Sequence, residues 1–527
     1  MSATNPDDHR LDHVVVLMFE NRSFDQLLGY LHSSAGTEVV EGVVGRALSN
    51  PLAAGISTPE LTDVAVHPAT SMASPYPDPG EEFAHVNTQL YRTVEPASNR
   101  FAKIGDMAHP FNSPAAPAPF PPPMNGFVDD YVNAFTAQMA RLPSEAEYSQ
   151  IMSCYTPSQL PVLSGLASGF LCFDHWFCEV PSQTYPNRSF FHAGTSSGYV
   201  INGHPPGKFA VHNTARTVFN QLEEAGKSWR VYIDPLQFVP ATALIHARPL
   251  AKFFATNFRT IYDFYDDADN GRLPNYSFIE PNMFHPHTDM HPHSGARLAE
   301  DLHVPPPDTI IGGERLLAEV YNRIRAASSS GSNWQNTALV ITFDEHGGTF
   351  DHVPPPAAVP PDSSPGEEGF SFDRFGVRVP TILVSAWLDG GRVVNSRFQH
   401  CSLIRTLGDW WKLSGPLTAR DASAPSILPL LNRETPRAPE NWPTVAPLTS
   451  GPLTELGQSI LARIEELDSP MERLERDLLG DALAHEAQVR NQPPAADSEQ
   501  VSHRQAHQHF KRIASELFKG VVNGRQS

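Results

Sequence analysis

Two apolar, β-branched runs in this chain end abruptly in charge. His13 to Phe19 (H-V-V-V-L-M-F) runs into Glu20-Asn21-Arg22-Ser23-Phe24-Asp25, and Ala338 to Phe343 runs into Asp344-Glu345-His346-Gly347-Gly348. Runs of this kind predict buried strands, and acids at their ends place charge at the rim of a sheet, where an open α/β protein builds sites. The first strand is predicted over Leu11–Phe19, with a helix over Ser23–Leu31 after it. Further strands are predicted at Trp229–Ile233, Tyr276–Ile279 and Val379–Ser385, and Leu171–Phe177 is apolar but broken by Asp174-His175. Helical spacing appears in Asn125–Met139, through Phe127, Tyr131, Val132 and Phe135. It recurs in Leu160–Phe170, Thr214–Ala225, Tyr262–Ala268, Glu314–Ala327 and Ser402–Trp411. Strands alternating with helices predict an α/β sandwich around a mostly parallel sheet.

Between residues 32 and 150 there is little periodicity, and Asn112–Pro123 is Pro- and Ala-rich enough for an extended surface segment. Past Asp421 the character changes. Thr435–Leu448 is Pro-rich, while Leu453–Glu486 and His503–Val521 are charged and helical. The division expected is a catalytic domain over 11–420, a Pro-rich linker or cover over 421–452, and a helical C-terminal extension over 453–527. That extension lies on the core or mediates contacts, which leaves a homo-oligomer open.

Composition narrows the classes. The 527 residues are 40% hydrophobic with 30 Phe, which argues against disorder, and a formal charge of -20 argues against a nucleic-acid partner. No apolar run is long enough to cross a membrane as a helix. The polar N-terminal residues run straight into the first strand without a visible signal peptide, so the chain as written reads as cytoplasmic unless an export signal has been removed. Cys154, Cys172, Cys178 and Cys401 form no C-x-x-C pair, and buried free thiols are favoured over a Cys172–Cys178 bridge. Phosphate-binding glycine loops and the G-x-S-x-G elbow are missing, which removes kinase, dehydrogenase and serine-hydrolase readings.

Asp344-Glu345 and Glu20-Asn21 supply three carboxylates and an amide oxygen, hard donors suited to Ca²⁺, Mg²⁺ or Mn²⁺. An ordinary solvated acidic pair and a helix cap are the competing readings, and both functions can coexist at a helix N-terminus. His285, His287, His291 and His293 cluster beside Asp289, where a surface loop, a zinc site or acid–base chemistry fit equally. His352 after Asp351 and His400 before Cys401 are further candidates. Thr184, in a polar stretch, is unremarkable by composition.

The blocks E-N-R-S-F-D, D-P-G-E-E-F, P-S-Q-T-Y-P-N-R and F-D-E-H-G-G-T-F-D-H-V-P-P-P resemble the bacterial phosphoesterase family, which groups phosphatidylcholine-preferring phospholipases C with acid phosphatases. The motif order matches over about residues 11 to 412. The resemblance implies a three-layer α/β/α sandwich like alkaline phosphatase. It implies one divalent metal, Ca, Mg or Mn favoured with Zn or Fe also compatible, held by Glu20, Asn21, Thr184, Asp344 and Glu345. Thr184 stands where the family places its hydroxyl nucleophile, and threonine there resembles the phospholipase C branch. The implied substrate is a phosphate ester, in that branch a phosphocholine lipid. The acid phosphatase branch, acting on small monoesters, and a catalytically silent binding or assembly protein are the alternatives. Asn187 and Arg188 stand where donors to the phosphoryl group would help. His291 resembles the histidine that serves the leaving group, with His287, His346 and His352 behind it. One departure is explicit: Glu81 occupies the position of a family histidine in D-P-G-H, and His85 would compensate if this stretch is helical. Family members are often exported.

Overall fold

Strand β1 (His13–Phe19) lies in the middle of an eight-stranded sheet and is buried at every position but His13. The other strands, in a computed structural model of the chain, are β2 (Leu171–Phe173), β3 (Trp229–Ile233), β4 (Phe258–Thr260), β5 (Tyr276–Glu280), β6 (Thr337–Phe343), β7 (Thr381–Val384) and β8 (Arg392–Val394). The structure describes residues 11–31, 39–52, 56, 62–70, 72, 75–203, 205–284, 287–292, 309–448, 473–498 and 501–518. His285 and His293, and residues 453–472 and 519–521 of the two predicted tail helices, lie outside the described residues.

Spatial order is β8-β2-β7-β6-β1-β5-β3-β4. Five of the seven pairings are parallel, and only β7 runs against its neighbours. A parallel sheet buried on both faces needs helices on both. The principal helices are α1 (Phe24–Leu28), α2 (Phe83–Tyr91), α3 (Phe127–Met139), α4 (Pro161–Gly169), α5 (Thr184–Ala193), α6 (Lys208–His212), α7 (Thr309–Ala326), α8 (Cys401–Trp411), α9 (Arg473–Arg490) and α10 (His503–Leu517). Helices α4 and α7 pack together with Ile261–Asp269, and α5 packs with α8, giving the helical layers of a three-layer α/β/α sandwich. C-terminal helix α9 lies on α6, and α10 lies on α9. Phe518 closes the contact by stacking edge and face on Phe254 and Phe258.

Sequence and structure differ where the pattern carried no signal. Helix α5 has all ten residues buried, so it shows no polar face, and the polar loop expected around Thr184 is in fact its first turn. Helix α2, inside the stretch without periodicity, is buried at every residue except Tyr91. Strands β4 and β8 are three residues each, too short to show a period. The helix expected from Thr214 begins at Val218, because Thr217 caps it and pairs reciprocally with Asn220. All four cysteines are free and buried.

Candidate active site

Parallel pairing brings the two acidic strand ends together. Phe19 is in register with Phe343, and the Asp344 amide donates to the Phe19 carbonyl at 3.1 Å, so Glu20 and Asp344 leave the sheet side by side. Helix α5 points its first turn at them. Thr184 and Arg188 are four residues apart and share a helix face. The Thr184 hydroxyl donates to Glu20 Oε2 at 3.1 Å. Arg188 forks across the two acids, Nη2 to Glu20 Oε1 at 2.7 Å and Nε to Asp344 Oδ2 at 3.0 Å. All four side chains are fully buried.

Glu345 and Asn21 complete the ring. Glu345 Oε2 accepts from the Gly347 amide at 2.6 Å. Gly347 adopts φ +59, and a Cβ there would sit 2.3 Å from the Asn21 carbonyl, so only glycine lets this turn pass under Asn21. Asn21 Nδ2 donates to Glu81, whose other oxygen accepts from Gln183 at 3.3 Å. Glu81 is therefore part of the site. His85 does not replace the missing histidine there, because its Nδ1 is held by Asp130 at 2.8 Å.

His291 Nε2 lies 3.9 Å from both Glu81 Oε2 and Asp78 Oδ2, and its Nδ1 contacts the Pro292 carbonyl. His287 pairs through Nδ1 with Asp289 at 3.1 Å, and the Asp289 carbonyl accepts the Glu20 amide at 2.8 Å, so this pair supports the Glu20 backbone. Asn187 uses its whole amide on the backbone of 179–183: Oδ1 accepts from Glu179 and Val180, and Nδ2 reaches Val180, Ser182 and Gln183 carbonyls. It shapes the turn before Thr184. His352 is placed elsewhere, bonded to Asp25 at 2.6 Å. His346 is buried against Gln89, and burial holds it down to about 3. His400, a candidate beside Cys401, supports the site from behind: it takes the Trp176 indole N–H on Nδ1 and donates from Nε2 to the Asp344 carbonyl at 2.7 Å.

Charge in the ring is out of balance. Burial, with Asp344 next, drives Glu20 well above the usual carboxylate range; burial, with Glu81 and then Asp344, does the same to Glu345. Burial raises Asp344 as well, against the pull of Arg188. Arg188 loses stability as a cation through burial, but Glu20 and Asp344 more than restore it. One guanidinium cannot neutralise three carboxylates. Two buried acceptors, Asn21 Oδ1 and Glu345 Oε1, and one buried donor, Arg188 Nη1, have no hydrogen-bond partner among the described residues. Orphaned buried acceptors among excess carboxylates fit a hard divalent cation, and the oxygen-only donor set agrees. Two neighbouring groups, Asp25–Asp351–His352 and Asp78–Glu81–His291, also have spacing that can hold a cation.

Unfilled acceptors beside an unfilled donor, on an α/β/α sandwich, suit a cation and an anion together. The profile of the Phosphoesterase family matches residues 11–414. Non-specific phospholipase C1 of Arabidopsis thaliana is 32% identical over 497 residues, spanning 89% of this chain and 80% of that protein. Phospholipase C B of Mycobacterium tuberculosis (strain ATCC 25618 / H37Rv) is 26% identical over 469 residues, spanning 81% and 79%. Among solved structures, a protein in the alkaline phosphatase superfamily from Vibrio parahaemolyticus aligns with TM-score 0.32 and 13% identity over 65% of this chain and 84% of that one. The chain belongs to the Phosphoesterase family and is a phosphoesterase related to phospholipase C-type enzymes. Among the described residues, no helix is long and apolar enough to cross a membrane.

Proposed function

We propose that the enzyme is a phospholipase C-like phosphodiesterase working through a phospho-threonine at Thr184, with residues 11–420 as its catalytic unit and the helices past residue 453 as an extension of it. The observation that carries this reading is the buried Thr184 hydroxyl, 3.1 Å from Glu20, in a ring that also holds two unfilled acceptors and an unfilled donor among the described residues. A divalent ion on Glu20, Asn21, Thr184, Asp344 and Glu345, Ca²⁺, Mg²⁺ or Mn²⁺ by donor type, would polarise the phosphoryl group and make the hydroxyl more acidic.

Thr184 gives up its proton along its hydrogen bond to Glu20 and attacks phosphorus in line. Glu20 is placed to receive that proton by its hydrogen bond to the Thr184 hydroxyl. Arg188 Nη1 supplies a hydrogen bond to a phosphoryl oxygen. As the bond from phosphorus to the alcohol breaks, His291, whose Nε2 lies 3.9 Å from Asp78 and Glu81, protonates the departing oxygen. The same imidazole then takes a proton from water, which attacks the phospho-threonine, and the departing Thr184 oxygen recovers its proton from Glu20. Asn187 and His287 position the turn and Glu20. The similarity to phospholipases C supports a phospholipid as substrate, and the family resemblance of the Thr184 segment suggests phosphocholine as its headgroup.

A substrate panel with added divalent metal tests this. Wild type is expected to turn over p-nitrophenylphosphorylcholine in preference to p-nitrophenyl phosphate. A strong preference for the monoester would identify an acid phosphatase instead.

A further inference from the structure

A second histidine cluster lies outside the catalytic ring and has different chemistry. We propose that Glu41, His175 and His352 form a binding site for a borderline-soft divalent cation such as Zn²⁺, distinct from the oxygen-only ring around Thr184.

Each imidazole is held from behind by a carboxylate. His352 donates both its backbone amide and Nδ1 to Asp25 Oδ2, at 2.8 and 2.6 Å. His175 Nδ1 pairs with Asp174 Oδ1 at 2.8 Å. A carboxylate on Nδ1 makes that nitrogen the protonated one and leaves the lone pair on Nε2, which is how metal-binding histidines are oriented and made more basic. Both Nε2 atoms face one carboxylate: His175 Nε2 is 3.3 Å from Glu41 Oε2, and His352 Nε2 is 4.0 Å from Glu41 Oε1. His352 Nε2 is buried and has no hydrogen-bond partner, on a side chain only 10% exposed.

Lone pairs aimed at a carboxylate repel it unless a proton or a cation lies between them. Two imidazoles and one carboxylate are a donor set used for Fe²⁺ and Zn²⁺, with positions left for solvent. Ligand atoms about 2.0–2.2 Å from a tetrahedral ion stand about 3.4 Å apart, close to the spacing at His175. His352 is farther by a distance that Glu41 can close. Its side chain is 37% exposed and pairs with Arg46 Nη2 at 3.4 Å, an exposed contact that turning would give up, while its main chain is fixed, the amide on Asp174 Oδ2 at 2.8 Å and the carbonyl on Arg378 Nη1 at 2.9 Å. The inner side of His352 has the spacing for a cation but already holds a counter-charge. Asp25 and Asp351 there already share the Arg378 guanidinium, at 3.0 and 2.9 Å.

The three ligands come from separate parts of the chain: the loop after α1, the residues just past β2, and the segment following Asp344-Glu345. A bound ion would tie that last segment down from outside.

The test uses the full chain saturated with Mg²⁺ or Ca²⁺ and dialysed against Zn²⁺, with bound zinc counted by elemental analysis. Wild type is expected to retain one equivalent more than Glu41→Gln or His175→Asn, both variants keeping esterase turnover. Co²⁺ in place of Zn²⁺ should give the wild type the visible absorption of a nitrogen-ligated ion of low coordination number, a reading that needs no variant. Equal zinc in all three proteins, or wild type without that absorption, would overturn the proposal.

Discussion

Two arginines at the rim of the sheet fork over pairs of buried carboxylates in nearly the same way, yet among the described residues the bonding is complete around only one of them. Arg188 bridges Glu20 and Asp344, and Arg378 bridges Asp25 and Asp351. All six side chains are fully buried. Around Arg378 the bonding is complete: its remaining nitrogen reaches the Glu41 and Asp174 carbonyls at 2.9 and 2.7 Å, and the guanidinium lies 4.7 Å from the Phe24 ring. Around Arg188 it is not. Nη1 lacks an acceptor, Asn21 and Glu345 each hold an unused oxygen, and a third carboxylate has no counter-charge. The same chemical parts make a scaffold when every atom is satisfied and a site when the unpaired atoms converge.

The sharpest break in that comparison is Thr184→Ala. Removing the nucleophile should lower turnover by on the order of a thousandfold or more, with the unfolding midpoint unchanged. Full turnover in this variant would reassign the chemistry. Next come the two arginines. Arg378→Met leaves two buried acids without a cation and should cost roughly 3–5 kcal/mol, read as a lowered thermal midpoint that divalent metal does not restore. Arg188→Met should show a similar loss in chelator and regain most of it on adding Mn²⁺ or Ca²⁺, since a cation in the ring takes over the same neutralisation. Identical metal responses in the two variants would erase the distinction drawn here.

His400 gives a pH-dependent test of what holds Asp344 in place. Burial keeps its imidazole down to about 4, below the ordinary 6.5. A depressed folded value means that its stabilisation is complete above pH 6.5 and is lost as pH falls toward 4. The stability difference between wild type and His400→Gln should therefore shrink over that interval, by about 1.4 kcal/mol per pH unit at most. A difference independent of pH would mean that His400 is not neutral in the fold. The smallest effect is expected at Glu81. Glu81→His removes a carboxylate facing the phosphate and should lower KM for phosphate esters several-fold while changing kcat less; a raised KM would show that the carboxylate aids binding.

Much of this was legible in the chain. The apolar runs ending at Phe19 and Phe343 announced two strands, and the acids after them announced the rim. Their juxtaposition follows from parallel pairing of β1 with β6. Thr184 was legible only through its family resemblance, because a helix buried on every side has no amphipathic pattern. The role of Asn187 was ambiguous until its amide was seen spent on five backbone contacts. Arg378 was missed altogether. It reads as a charge beside an apolar strand, and its acid partner Asp25 lies 353 residues away. His352 was singled out for its neighbour Asp351, whereas its hydrogen-bond partner is Asp25, 327 residues distant. Local pattern finds elements; it does not say which acid a buried base will meet.

The most direct measurement is intact-protein and peptide mass spectrometry on enzyme acid-quenched during turnover of p-nitrophenylphosphorylcholine. The account predicts a phosphorylcholine adduct on the peptide carrying Thr184, absent from Thr184→Ala. An adduct on another residue, or undiminished turnover by Thr184→Ala with no adduct at all, would contradict it.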